Sequence, residues 1–316
     1  MKIAVLDAAT LGRDLDLSPL SSLGEVRIFD GTAPHQVAAH IADADVAVVN
    51  KVRMNGTTLA GVRNLRLVCV AATGYDNIDL TYCRAKGVAV CNVAGYSTDS
   101  VAEITVAIVL SLTTHLPAFC RHVESGDYTR GGVANCLVPV YRELRGKTWG
   151  VAGYGNIGRA VGRVAEAFGC RLLVFRKQPA PGEPAVDLDT LCRESDILTV
   201  HLPLSDETRG IFDASAVAKL KPGAIFVNMA RGAVADEKAL ADAVLQGRLG
   251  GLGADVYTTE PLPETHPFYA IRDRDDVCLT PHMAWGAVEA RERCLYEIVE
   301  NIRAFTAGRI RSRVDV

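Results

Sequence analysis

The amino-acid sequence predicts an α/β protein of two doubly wound domains, the larger inserted into the smaller. Three observations lead there. Short apolar runs alternate with helical patterns over the first 97 residues, the alternation restarts at residue 148, and one amphipathic helix is left over at the end. The length of 316 residues suits two domains with a sizeable core.

In the first domain, strands are expected at Ile3 to Leu6, Val26 to Phe29, Val46 to Val49, Leu67 to Val70 and Val88 to Cys91, with a helical pattern at Gln36 to Ala42. A helix then opens with Ser100-Val-Ala-Glu103, a capping-box pattern, and runs apolar to about Leu116. The crossover between domains is placed near its start. Six further strands are expected at Trp149 to Ala152, Arg171 to Phe175, Ile197 to Val200, Ala224 to Asn228, Gly251 to Val256 and Val277 to Thr280. The last helix, Val288 to Phe305, follows that completed sheet, so its expected home is the first domain. The smaller, flavodoxin-like domain would be residues 1–97 plus 287–316, and the larger residues 98–286.

The run Thr148-Trp-Gly-Val-Ala-Gly-Tyr-Gly-Asn-Ile-Gly158 joins a strand, a Gly-x-Gly-x-x-Gly turn and a helix without a break. Gly153 allows the tight turn, Gly155 lets backbone approach a pyrophosphate, and Gly158 lets the helix Ile157 to Phe168 pack closely on the strand. Asn156 and Ile157 open that helix, whose N-terminus offers N–H groups and a positive dipole end to an anion. The larger domain thus reads as a Rossmann dinucleotide-binding domain.

Its second strand ends on Arg176 and Lys177, where a domain that holds NAD usually places an acid against the ribose 2′-hydroxyl. A cation pair suits a 2′-phosphate and removes a carboxylate that would repel one. NADP (as NADPH) is the favoured cofactor on this ground, with NAD the alternative if Arg176 only stacks on the adenine and Lys177 is solvated.

Composition closes other routes. The formal net charge of −3 comes without a basic stripe interleaved with aromatics, so no nucleic acid is expected. The apolar stretch Ile104 to Leu112 is too short to span a bilayer and reads as a buried helix. Nine scattered cysteines, never spaced Cys-x-x-Cys, read as core hydrophobes in a reducing compartment, not as a disulfide or metal framework. Met1 to Asp7 reads as a strand without the apolar core of a signal peptide, and a cytoplasmic location follows by default.

In a doubly wound sheet, ligands sit beyond the carboxyl ends of the strands. Arg231, Glu260 and His282 each follow one of the last three strands, in Asn228-Met-Ala-Arg-Gly232, Thr259-Glu-Pro261 and Pro281-His282. Hydride transfer to a 2-oxo acid needs a proton donor, a cation for the carbonyl and carboxylate, and an anion that keeps the donor charged. His282, Arg231 and Glu260 match those needs.

These segments, together with Ala72-Thr-Gly-Tyr-Asp-Asn-Ile-Asp79, Gly95-Tyr-Ser-Thr-Asp-Ser-Val-Ala-Glu103, Leu144-Arg-Gly-Lys-Thr148 and Gly253-Ala-Asp-Val256, resemble the D-isomer-specific 2-hydroxyacid dehydrogenases along essentially the whole chain. The resemblance implies that Arg231 binds substrate, Glu260 tunes the histidine and His282 transfers the proton. It further implies that backbone N–H groups of Thr73, Gly74 and Tyr75 hold the substrate carboxylate. Asp255 would face the nicotinamide side, and Pro203, Thr208, Met229 and Ala230 would line the cofactor groove. His201, after the third strand of the domain, either lines that groove too or is a packed strand-end residue. Asn50-Lys-Val52, Cys91 to Asp99 and Pro281-His-Met-Ala-Trp-Gly286 are similar to the glycerate dehydrogenase branch, also called hydroxypyruvate reductase. The expected reaction is reduction of hydroxypyruvate or glyoxylate to D-glycerate or glycolate. Family members are commonly dimers, and Ser111 to Leu144 would supply the contact of a homodimer. Two rivals remain: a dehydrogenase for another 2-oxo acid such as pyruvate or phenylpyruvate, and a nucleotide-sensing protein of the corepressor type, which also keeps a Trp after the histidine.

Overall fold

A computed structural model describes residues 1–316. The elements in chain order are β1 (Lys2–Val5), β2 (Glu25–Ile28), α1 (Val37–His40), β3 (Val46–Val49), β4 (Leu67–Val70), α2 (Leu80–Ala85), β5 (Ala89–Cys91), α3 (Thr98–Thr114), α4 (Leu116–Glu124), α5 (Asp127–Gly131), β6 (Thr148–Ala152), α6 (Asn156–Ala167), β7 (Arg171–Phe175), α7 (Leu188–Glu194), β8 (Ile197–Val200), α8 (Ala214–Lys219), β9 (Ile225–Asn228), α9 (Glu237–Leu245), β10 (Gly251–Ala254), β11 (Val277–Leu279) and α10 (Val288–Thr306). They form two compact units, residues Met1–Ser97 with Trp285–Val316, and residues Thr98–Ala284.

In the first unit the sheet order is β2-β1-β3-β4-β5, all parallel. Strands β3 and β4 are buried at every position, which is why they read as unbroken apolar runs. One face packs on α10 through Ala290, Cys294, Ile298 and Ile302, which meet Ile3, Val5, Val48 and Cys69. The order reverses beside β1, and there the carboxylate of Asp7 accepts the N–H groups of Asn50, Lys51 and Val52 at 2.6–3.2 Å.

The second sheet runs β11-β10-β9-β8-β6-β7, again all parallel. Beyond β7 lies a single bridge, Val174 to Ala185, fixed by Val174 N–H to Pro184 O and Val186 N–H to Val174 O. It stands where a dinucleotide fold has its third strand, so the doubly wound order is preserved with that strand cut to one pairing. Helix α6 buries Ala160, Val161 and Ala165, and Phe168, expected as its last residue, lies at the C-cap and is exposed.

Several expectations shift. Helix α3 begins at Thr98, so Ser100 is no cap: its hydroxyl is buried and donates to Ala284 O at 2.6 Å. The apolar helix also stops sooner, because His115 takes a left-handed conformation at φ 52° and Pro117 opens α4. Of its apolar stretch, Ile108, Val109 and Leu112 are buried while Ala107 is exposed. All nine cysteines are free, and six are buried; Cys120 is exposed and Cys136 and Cys278 are half-buried. Burial pushes the thiol of Cys83 up to about 11 and that of Cys294 up to about 12, so neither is a thiolate at neutral pH. No single helix is long and apolar enough to cross a membrane.

Candidate active site

The sheet of the second unit places the loops after β9, β10 and β11 side by side, since Ala254 pairs with Asn228 on one flank and Leu279 on the other. Each loop carries one of the three candidate residues. After β9, the Asn228 amide closes the turn by donating to Arg231 O at 2.9 Å and accepting from Ala230 N–H at 3.0 Å. The Arg231 guanidinium donates to Ala230 O at 2.8 Å. Gly232 follows, and a Cβ there would run into the Tyr257 carbonyl carbon and the Thr258 nitrogen, so the β9 and β10 loops touch backbone to backbone.

The loop after β10 carries Glu260. Its Oε1 accepts Tyr257 N–H at 3.1 Å and its Oε2 faces Nδ1 of His282 at 2.7 Å. The pair is neither open nor sealed, with side chains 31 % and 20 % exposed, so its charges attract without full burial of either. His282 sits at φ 52°, a strained conformation for a side-chain-bearing residue, and the surroundings hold it there. Its own N–H donates to Thr280 O, the Tyr257 hydroxyl donates to the same carbonyl at 2.8 Å, and Asp255 binds the rest of the turn. Burial raises the Tyr257 phenol, keeping it protonated as that donor.

Asp255 was expected on the nicotinamide side. Its carboxylate accepts the Thr280 hydroxyl at 2.6 Å, Met283 N–H at 2.8 Å and Ala284 N–H at 3.0 Å, so both oxygens brace the turn of His282. A second carboxylate, that of Glu237 at the start of α9, had no local signal in the sequence beyond a helix start. It is buried, accepts Thr258 N–H at 2.9 Å and the Thr258 hydroxyl, and faces Nε2 of His266 at 2.8 Å. The His266 Nδ1 accepts Phe268 N–H, so Nε2 carries the proton towards Glu237. The residue pair, 29 positions apart, braces the segment two residues before Glu260.

The residues of the glycine turn fit a dinucleotide. Gly153 has φ 93°, and a Cβ on it would strike the backbone of His201 and Leu202. A Cβ on Gly158 would strike Gly153 O, whereas one on Gly155 would meet nothing, so the turn is tight on two sides and open on the third. Helices α2, α7, α8 and α9 are each capped by an aspartate; α6 has no side-chain cap, which leaves its first amides to an anion. His201 follows β8, across the point where the strand order reverses. Both its ring nitrogens are enclosed and without a hydrogen-bond partner, although part of the residue stays accessible, and burial lowers its pKa to about 3.

Thr208 closes the next loop, its hydroxyl donating to Pro203 O at 2.6 Å and accepting Ser205 N–H at 2.8 Å. Met229 and Ala230 are buried behind the β9 turn. Arg176 does not stand alone: its Nη1 meets Glu183 Oε1 at 3.0 Å and Oε2 at 3.2 Å, while Lys177 pairs with Glu207 at 2.7 Å. In the first unit, the turn after β4 holds Thr73, Gly74 and Tyr75. The Thr73 hydroxyl donates to Val93 O and the Asn92 amide to Thr73 O, and none of the three backbone N–H groups donates to a protein acceptor.

Residues 106–284 match the family model described as D-isomer specific 2-hydroxyacid dehydrogenase, NAD binding domain. The chain is 33% identical over 317 residues to a glycerate dehydrogenase of Methylorubrum extorquens, covering 99% of both proteins. It is 34% identical to a hydroxypyruvate reductase of Blautia hydrogenotrophica, covering 98% of both. Among solved structures, it superposes on an NADPH-dependent glyoxylate/hydroxypyruvate reductase of Sinorhizobium meliloti in complex with NADP and malonate, with a TM-score of 0.85 and 27% identity, covering 99% of this chain and 96% of that one. The glycine cradle, the strand-end loops and these likenesses agree that the chain is a NAD(P)-dependent oxidoreductase belonging to the D-isomer-specific 2-hydroxyacid dehydrogenase family.

Proposed function

We propose that the chain reduces hydroxypyruvate to D-glycerate, and glyoxylate to glycolate, with NADPH as the preferred donor, in the cytoplasm and as a homodimer. The observation that carries the chemistry is the 2.7 Å contact between His282 Nδ1 and Glu260 Oε2. With Nδ1 turned to the carboxylate, the proton for the carbonyl oxygen leaves from Nε2. Arg231 contributes a fixed cation for the substrate's carbonyl and carboxylate oxygens. The unengaged amides of Thr73, Gly74 and Tyr75 suit a carboxylate, in keeping with the role the family resemblance implies for them. When bound, the reduced nicotinamide supplies the hydride that the carbonyl carbon takes up.

The substrate rests on the likeness to the glycerate dehydrogenase and hydroxypyruvate reductase, and the donor on Arg176 at the end of β7. The homodimer is supported by an apolar strip in the second unit, with Leu137, Val138 and Val140 each more than 70 % exposed, which a second copy would cover; sedimentation at a single chain mass would remove it. Initial rates on hydroxypyruvate, glyoxylate, pyruvate and phenylpyruvate, each with NADPH and NADH, test the rest. Highest kcat/KM for hydroxypyruvate with NADPH is expected. A preference for phenylpyruvate overturns the substrate, and a preference for NADH overturns the donor.

A further inference from the structure

At the mouth of the glycine cradle, one carboxylate sits between two guanidinium groups. Glu183 Oε1 meets Arg176 Nη1 at 3.0 Å and Arg159 Nη2 at 3.1 Å, and Glu183 Oε2 meets Arg176 Nη1 at 3.2 Å and Ala180 N–H at 2.8 Å. Arg176 follows β7, and Arg159 lies on the first turn of α6 over the ring of Tyr154, whose carbonyl also accepts from Arg176 at 3.4 Å. The Glu183 side chain is only 12 % exposed. It is placed there by the bridge that pairs residues 184–186 with Val174, so its position follows from the shortened third strand.

We propose that Glu183 sets the nucleotide preference of this chain, by holding as an internal anion the two arginines that a 2′-phosphate would otherwise claim. The inference rests on the dinucleotide reading of the cradle and qualifies the donor proposed above: Arg176 opens the site to a 2′-phosphate, and Glu183 narrows the margin by which NADPH is preferred. Two guanidiniums and one carboxylate leave a single net positive charge, against a phosphomonoester that carries about −1.5 to −2 near neutral pH. Bringing the phosphate in therefore means either displacing Glu183 or placing two anions together. An unphosphorylated ribose meets the opposite situation, because a carboxylate in this position can accept its 2′-hydroxyl, the part usually played by an acid at the end of the second strand. The Ala180 amide first, then Arg159 and Arg176, hold the Glu183 carboxyl below the usual carboxylate range, so it stays an anion at neutral pH.

Glu183→Gln keeps the shape and removes the charge. Titration of the full chain with 2′,5′-ADP and with 5′-AMP, followed calorimetrically, reads the effect without any turnover. The affinity ratio of 2′,5′-ADP to 5′-AMP is expected to rise by at least about tenfold in E183Q, a change of about 1.4 kcal/mol. Glu183→Ala should move the ratio the same way, which guards against a glutamine that simply caps Ala180. In an Arg159→Gln and Arg176→Gln background, E183Q should produce no such gain. An unchanged or lowered ratio in both single variants overturns the proposal. Reduction of hydroxypyruvate is measured separately, so a chain that fails that assay yet shows the shifted ratio loses the substrate assignment and keeps this one.

Discussion

His201 lies with its backbone against Gly153, its ring nitrogens are enclosed without a partner, and its pKa falls from 6.5 to about 3. The unfolded chain takes up that proton below about 6.5 and the folded chain only near 3, so acid favours unfolding across that window. The contribution is fully present above 6.5 and is lost as the pH falls towards 3. A His201→Gln variant, which cannot charge, should lose less of its urea midpoint than the parent between about pH 7 and about pH 5, and equal losses would contradict the assignment. The same residue shows what a sequence can convey. Its place after a strand was legible, as were Arg231, Glu260 and His282, because strand ends in this kind of sheet follow from apolar runs. The partners of Arg176 were not: Glu183 lies seven positions on, and no local pattern says that the chain turns back to meet it.

At the scale of elements, parallel strands were the most readable feature. Strands β3, β4, β7 and β8 coincide with their apolar runs because both faces are buried, whereas helix starts depend on caps that the sequence states ambiguously. Ser100 looked like a cap and is a buried donor within α3, while the real aspartate caps of α7, α8 and α9 precede short helices with little periodicity. The loops after β9 and β10 act as one body, since Gly232 lies against the backbone of Tyr257 and Thr258 and Glu237 grips Thr258. Gly232→Ala should therefore part the two loops, costing about 1–3 kcal/mol of stability by overpacking and lowering kcat more than it changes nucleotide affinity. Chemical denaturation with parallel nucleotide titration checks this. A variant with parental stability and kcat would show that the contact is slack.

Across the whole molecule, the two units solve the same topological problem differently. Each reverses strand order within its sheet. In the first, Asp7 fills the place with its own carboxylate and satisfies three amides, and in the second the glycine turn leaves α6 uncapped. That difference is why only the second unit reads as a nucleotide cradle. The family, the doubly wound sheets and the placement of Arg231, Glu260 and His282 after successive strands were all accessible from ordered motifs spread over the chain. The bracing of that trio by Asp255, Tyr257, Glu237 and His266 was not, since it depends on loops meeting in space.

Glu260 holds the His282 ring in place as the proton donor, and this is met most directly by kcat/KM for hydroxypyruvate reduction in the parent and in Glu260→Gln, with nucleotide affinity measured alongside. Loss of the carboxylate should lower kcat/KM by about tenfold or more while nucleotide affinity stays at the parental value. A kcat/KM that stays at the parental value would contradict it.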